Sequence, residues 1–598
     1  MASIGWALLL FLAKFHTLFS TSSAHADADN LTRLSVPLLC NPDHAEALLK
    51  LKKSFYFGKS TTRLQSWREG TDCCRWEGVG CDTSSGNVTV LDLNNCGLSS
   101  YGLDPAIFNL TTLRRLDLSM NYFGPNRKSD TSVWPDNIPL TGFERLAFLT
   151  HLNLSNARFQ GQVPIGINKL VNLLSLDIST SIELSYSLKP MYAYKDNSNN
   201  LYVSNFGTLV ANLSNLRELY LDGVDLSDTE DWCISLATSV LNLEVLSLAN
   251  CGLSGPIHKS LSRLHSLAVI NLQLNSYITA SPLPEFFMDF LNLTILQLSD
   301  TNLEGWVPSR SFQSTNLRVL DLSSNHKLSG HVPNFSNASS LETLRLDGTN
   351  FSFAKPEYST NFKLLKELSI DGDLVSVDFL SSLGRLGSLW KLYLGFLKKL
   401  YLELNSVNEM GPIFTWIGEH ENLISLELFG CNFAMTTPSS IRSFKTLRRL
   451  TMTECNFPGS IISAIGNLMD LQILEMSYCT TYGSIPSSFG NLTSLISIYY
   501  IDEYEYDQTG FSGPLPAAIG NLTNLKTMEI HGGSISGSIP YTIGQLSKLR
   551  WLDLSYCNFS GRIPSSIVNL TQLTKLDLSY NTLNGKTLIS SFFFLSYA

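Results

Sequence analysis

A leucine frame, L-x-x-L-x-L-x-x-(N/C)-x-(L/F), recurs nineteen times in this chain, first at Val88 and last at Leu573. LRWLDLSYCNF begins at Leu549 and LTKLDLSYNTL begins 24 residues later at Leu573; most copies stand 24 to 27 residues apart. Within each frame the x-L-x-L-x core alternates with period two, so its leucines fall on one face of a short strand and the intervening residues on the other. One such strand cannot bury its apolar face alone. Stacked copies join their strands into a parallel sheet and their leucines into a continuous core, so the pattern predicts an α/β solenoid in which each turn is stabilised by its neighbours.

The ninth position of the frame holds Asn121, Asn325 or Asn581 in some copies, where a buried amide can satisfy backbone groups of adjacent turns. In others it holds Cys96, Cys251, Cys431, Cys455, Cys479 or Cys557. Neighbours such as Cys431, Cys455 and Cys479 would stack at about the 4.8 Å inter-strand spacing, inside the Cα range of a disulfide. Their Cβ vectors run parallel, however, which favours free buried thiols. A different cysteine pattern stands near the N-terminus, in GTDCCRWEGVGCD (70 to 82). Adjacent cysteines bond to each other only through a strained ring, so Cys73 and Cys74 each call for a partner elsewhere.

After the leucine frame come SGPI (254 to 257), EGWVP (304 to 308), SGHVP (329 to 333), YGSIP (482 to 486), SGPLP (512 to 516), SGSIP (536 to 540) and SGRIP (560 to 564). This L-x-G-x-(I/V/L)-P signature resembles the plant-specific class of extracellular leucine-rich repeats. The stretch with NPDHAEALLKLKKSF, Trp67 and the paired cysteines is similar to the N-terminal cap of plant receptor-like proteins, receptor-like kinases and polygalacturonase-inhibiting proteins. The resemblance covers nearly the whole mature chain. It implies a leucine-rich-repeat superhelix with a parallel β-sheet on its concave face and a disulfide-stapled cap. It also implies the bridges Cys40 to Cys73 and Cys74 to Cys81, holding a helix around Ala45 to Phe55 over the exposed end of the core. A zinc site fits poorly, because C-C-x6-C lacks a C-x2-C pair or accompanying histidines.

The expected organisation is therefore a signal peptide over 1–26, a cap domain over 27–87 and about nineteen repeats over 88–598. The leader reads as an apolar region followed by Ala24-His25-Ala26, a small-x-small cleavage site. That places the protein in the secretory pathway and the apoplast, or at the plasma membrane if a full-length product carries a membrane helix that this chain lacks. No apolar run beyond the leader reaches the roughly 18 residues that span a bilayer. The net charge of −9 and the absence of long Lys/Arg runs argue against nucleic acid as a partner. Insertions interrupt the repeats near 120–148, 179–215 and 499–510; inserted loops of a solenoid collect on one face and often bind. The ending NTLNGKTLISSFFFLSYA has neither the second cap nor the membrane helix that resembling receptors carry, which reads as a truncated product.

No phosphate-binding loop, zinc-protease, nucleophile-elbow or kinase motif is present, and no cofactor is implied. Asp92, Asp117, Asp553 and Asp577 recur in phase with the repeat, as solvated positions on the sheet face rather than as a catalytic pair. The reading is a binding protein: the ectodomain of a plant cell-surface receptor in defence or developmental signalling, with an extracellular peptide, protein or glycan as ligand and a co-receptor kinase as possible partner. The alternatives are a secreted inhibitor of microbial wall-degrading enzymes and a non-functional fragment. N-x-(S/T) glycosylation acceptors stand at Asn30, Asn87, Asn109, Asn153, Asn212, Asn292, Asn334, Asn337, Asn350, Asn491, Asn521, Asn558 and Asn569. Of these only Asn153 falls at an outward strand position. Outward positions of later frames carry Tyr393, Phe429, Tyr478, Tyr499, Trp551 and Tyr556, stiff contact area of the kind that dominates interfaces, which makes them the ligand-binding candidates.

Overall fold

Each leucine frame forms a strand of three to six residues in the computed structural model, and successive strands pair in parallel with their leucines in line. The structure describes residues 40–57, 64–124, 138–180, 201–307, 316–331, 340–352, 364–371, 388–395, 422–431, 444–457, 459–481, 483–502, 510–532 and 534–584. The leader over 1–26 lies outside them. Two units divide the chain, Met1–Leu267 and Ala268–Ala598.

The first unit opens with the helix α1, Pro42–Ser54. Asn41 caps it by accepting from the Asp43 amide, Pro42 pre-sets its first turn, and Lys52 and Lys53 complement the dipole in its last. Its inward face of Ala47, Leu48 and Leu51 is buried. His44 on the same helix accepts from the Val88 amide (3.0 Å), tying the cap to the first repeat. Val79–Cys81 runs antiparallel to Val88–Asp92. From there the sheet is parallel through Arg115–Asp117, His151–Asn153, Ser175–Asp177, Glu218–Tyr220 and Val245–Ser247. Leu91, Leu116, Leu152, Leu176, Leu219 and Leu246 form one buried row across it.

In the second unit a parallel sheet runs from Val269–Asn271 to Lys575–Asp577. Its later strands are Ser425–Phe429, Arg449–Thr453, Ile473–Ser477, Ser497–Asp502, Thr527–Gly532 and Trp551–Asp553. The ninth frame position behaves as a donor to the preceding turn. Asn121 donates to Leu93 O (2.8 Å), Asn325 to Leu298 O (2.8 Å) and Asn581 to Leu554 O (2.6 Å). Cysteine thiols take over the same contact, Cys251 to Leu221 O, Cys455 to Leu428 O and Cys479 to Met452 O. Cys96, Cys251, Cys431, Cys455, Cys479 and Cys557 are all buried and unbridged.

The L-x-G-x-(I/V/L)-P segment builds a second, short parallel sheet beside the first, as in Ser512–Pro514, Ser534–Gly537 and Asn558–Gly561. Its glycine supplies a left-handed backbone, with φ of 79° at Gly513, 81° at Gly537 and 78° at Gly561. The proline then leads into a 3-10 turn, as in Ser487–Asn491, Ala517–Asn521, Tyr541–Gln545 and Ser565–Asn569. No helix among the described residues is long and apolar enough to cross a membrane.

The insertions are narrower than the sequence reading placed them. Residues 138–148 include the 3-10 turn Phe143–Arg145 of an ordinary repeat. Leu201–Tyr202 pairs with Gly161–Gln162, and Phe206–Val210 is a helix, so 201–215 is also repeat. Tyr499 to Asp502 belong to the strand Ser497–Asp502. What remains of the three insertions, 125–137, 181–200 and 503–509, lies outside the described residues.

Candidate functional site

The cap places its four cysteines in two bridges, Cys40–Cys73 and Cys74–Cys81. Asp72 orders the junction by accepting from the amides of Cys40 and Cys74 (both 3.1 Å). Trp67 stacks on Trp76 at 5.6 Å beneath it, with each indole N–H satisfied, by Glu77 O and by the Thr71 hydroxyl. The adjacent cysteines thus pin helix α1 on one side and the first antiparallel strand on the other.

The acceptor asparagines divide by element. Asn109, Asn491, Asn521 and Asn569 are the last residues of 3-10 turns and are exposed; Asn212 and Asn292 follow a helix and a 3-10 turn and are exposed too. Each of the six stands in the segment between one strand of its unit's main sheet and the next. Asn350 and Asn558 stand exposed in the second sheet, and the Asn350 amide donates to His326 O (2.7 Å). Asn87 is half-buried and accepts from Asn41 (2.8 Å). Asn153 lies on the main sheet, where its amide donates to Asp117 (3.2 Å) and its oxygen accepts from the Ser155 amide and hydroxyl. Asn30, Asn334 and Asn337 lie outside the described residues.

Of the repeat-phased aspartates Asp92 is exposed as expected from sequence, but most of the others are not solvated. Asp117, Asp321 and Asp553 are buried, and in each Oδ1 accepts from the amide and the hydroxyl of the serine two residues on. Asp177 and Asp577 make the same turn, half-buried, with Ser179 and Ser579. They close the turn after the strand, as short polar side chains do elsewhere by bonding their own backbone two residues on. Burial pushes the Asp177 carboxyl up to about 6, helped by the neighbouring Asp222 charge. In the second unit Arg345 bridges Asp321 (3.7 Å) and Glu367 (3.3 Å), and Lys391 pairs with Glu427 (2.8 Å).

The aromatic candidates do not form one cluster. Tyr393 pairs across the sheet with Glu427, and Phe429 lies on that same neighbouring strand. Burial raises the Tyr393 phenol above its ordinary range. Tyr499 stands between Glu475 and Glu529, half-buried. Tyr478 follows the strand Ile473–Ser477, three strands from Tyr556, or about 14 Å at the usual spacing. Trp551 and Tyr556 each meet residues that the sequence reading missed, three in all. The Lys575 ammonium lies 3.8 Å from the centre of the Trp551 ring. Tyr556 stacks on Tyr580 at 4.0 Å and meets the His531 ring at 4.7 Å. Between Trp551 and the tyrosine stack runs a column of side chains in register, Glu475, Tyr499, Glu529, Asp553 and Asp577. Burial raises the carboxyl pKa of both Glu475 and Glu529.

Two family matches accord with this geometry, the leucine rich repeat N-terminal domain over residues 41–82 and the leucine rich repeat over 242–264, 316–338 and 548–570. Receptor-like protein 6 of Arabidopsis thaliana is 31% identical over 347 residues, 54% of this chain and 31% of that protein. Receptor-like protein EIX1 of Solanum lycopersicum is 31% identical over 311 residues, 49% of this chain and 27% of that one. The matched stretches thus span under a third of each relative. Among solved structures, the Arabidopsis receptor kinase HAESA ectodomain in complex with an N-terminally extended IDA peptide hormone is 20% identical, with 91% of this chain and 94% of that chain covered and a TM-score of 0.44. Cap, in-register leucines and repeat matches define a leucine-rich-repeat protein. With that N-terminal domain and these matches, the chain is similar to plant receptor-like proteins over about half its length.

Proposed function

We propose that this chain is the ligand-binding part of a plant cell-surface receptor, recognising an extracellular peptide, protein or glycan on the outward face of its sheet and acting with a co-receptor kinase in defence or developmental signalling. One observation carries the reading: the sheet face from Ser425–Phe429 to Lys575–Asp577 presents aromatic and charged side chains, while the acceptors of the same stretch, Asn491, Asn521 and Asn569, end the 3-10 turns between its strands. Glycans on those three would leave that face open to a partner. Aromatic side chains there supply contact area at low entropic cost. The relatives' names as receptor-like proteins agree with this use. The test is capture from elicitor-treated apoplastic fluid by the immobilised secreted chain, with bound species identified by mass. Replacing Tyr478, Trp551 and Tyr556 together by Ala is expected to abolish capture while leaving secretion intact. Unchanged capture by a well-folded triple variant would overturn the assignment and move the site to the inserted loops.

A further inference from the structure

Resting on the reading that this face takes the ligand, we infer that its occupant is a basic peptide, an extended segment presenting Lys or Arg side chains to the column Glu475–Glu529–Asp553–Asp577 between Trp551 and the Tyr556–Tyr580 stack. Charge complementarity on an exposed aromatic surface points to it. Tyr556 and Tyr580 are 50% and 58% exposed and Trp551 36%, so their rings are available to a partner. Asp553 and Asp577 lie between them on the same two strands, and Glu529 and Glu475 continue the column one and three strands away, all in register. Asp577, half-buried, commits only Oδ1 to its serine, Asp553 does the same at 7% exposure and adds its charge from beneath, and the half-buried Glu475 and Glu529 carboxylates make no hydrogen bond or ion pair among the described residues.

The cations facing this column are few. Lys575 rests on Trp551, Arg449 lies one strand before Glu475, and His531 meets Tyr556. Lys526 and Arg550 stand exposed just before their strands, outside the column. Partly buried like charges at strand spacing repel one another, and an incoming ammonium or guanidinium relieves that repulsion while gaining the aromatic faces. Lys575 already shows that the Trp551 ring accepts a cation. A neutral sugar could stack on the tyrosines but would cover the carboxylates without compensating them, and an acidic peptide would be repelled. The length also fits: five strands at about 4.8 Å make the column roughly 19 Å long, the reach of about six extended residues.

The experiment measures binding of synthetic peptides to the immobilised secreted chain at low and physiological salt. Three twelve-residue Gly-Ser peptides carry four Arg, four Gln or four Glu, and cellohexaose serves as a neutral glycan probe. The Arg peptide is expected to bind at least tenfold more tightly than the Gln peptide, and the Glu peptide not at all. The double variant Glu529→Gln/Asp577→Asn should erase the Arg preference, whereas Asp43→Asn/Glu69→Gln in the cap, which removes the same charge elsewhere, should keep it. Tyr556→Ala/Tyr580→Ala should weaken the Arg peptide about tenfold. Equal binding of the three peptides, cellohexaose binding without an Arg response, or an Arg preference that survives Glu529→Gln/Asp577→Asn would each overturn the inference. If that double variant leaves apoplastic capture intact while the aromatic triple variant abolishes it, the charge assignment falls and the ligand face stands. If the aromatic triple variant also captures normally, the face itself falls.

Discussion

Replacing Asn325 by Ala tests how the turns are joined. Asn325 is 2% exposed; its Nδ2 donates to Leu298 O (2.8 Å) and Leu322 O (2.9 Å), and its Oδ1 accepts from the amides of Thr301 (3.2 Å) and Leu303 (2.9 Å). Truncation strands the Leu322 carbonyl of its own turn and two amides of the preceding turn where water does not reach, while Leu298 O keeps the Thr301 hydroxyl (2.7 Å). At about 1–3 kcal/mol for each buried group left unsatisfied, and with partial relaxation, the local cost is about 3–6 kcal/mol. Cys455 occupies the equivalent position with a weak donor, 3.6 Å from Leu428 O, so Cys455→Ala should cost only about 1–2 kcal/mol, mainly for the lost volume. Solenoid turns respond to their neighbours rather than unfolding in one global step, so a single denaturation midpoint is a poor readout. Hydrogen exchange resolved to the segment 298–307 is the better one. Exchange there should rise at least a hundredfold in Asn325→Ala, since about 1.4 kcal/mol is tenfold, and less than about tenfold around residue 455 in Cys455→Ala. Equal effects of the two substitutions would refute the idea that the amide joins adjacent turns.

Two further outcomes are expected. Mass mapping of the secreted protein should find Cys40–Cys73 and Cys74–Cys81, with the seven buried cysteines alkylated only after unfolding, and glycan on Asn109, Asn491, Asn521 and Asn569 but none on Asn153; a Cys431–Cys455 bridge would contradict the first part and a glycan on Asn153 the second. Thermal stability should fall as pH rises from 4 to 7, because burial raises Asp177 and Asp347 to about 6 from 3.8, so each binds more proton folded than unfolded in that window and contributes up to about 3 kcal/mol that is lost as pH passes 6. Buried His44 and half-buried His151, lowered from 6.5, oppose the trend by weakening the fold as pH drops below that value. Asp177→Asn should flatten the profile, and a melting temperature that rises steadily from pH 4 to 7 in the parent protein would count against the assignment.

The leucine frame made the sheet legible because its period is a direct consequence of strand geometry. Leu116 and Leu552 sit where the alternation puts them, and the helix over the end of the core follows from the need to cover it. The aspartates were misread because frame position five is outward by alternation alone. The serine two residues later folds the carboxylate of Asp117, Asp321 and Asp553 back into the turn. The insertions are narrower than the frame alone predicts, because Leu201–Tyr202 and Phe206–Val210 are ordinary repeat elements in sequence that departs from the frame.

The candidate site was half legible, because outward positions were treated as equivalent and the fold does not treat them so. Tyr393 and Tyr499, at position five, are partly covered by the strands on either side. Position eight lies on the turn, and there the chain must adopt a left-handed backbone. Asn95, Asn156, Asn250 and Ser324 do so with φ from 48° to 58°, and Gly223, Gly348, Gly430 and Gly532 fill the same place in other copies. Glycine and asparagine suit that conformation, whereas other side chains give up roughly 1–2 kcal/mol. Tyr478, Tyr556 and Tyr580 take it at 53°, 52° and 53°. Tracking position eight alone through the copies would have found Tyr580 beside Tyr556. Tyr556 and Tyr580 also recover little by burial, being half exposed or more. A tyrosine that costs the fold backbone strain and leaves its ring in water is poorly explained by packing, and strained residues of this kind collect where binding uses them.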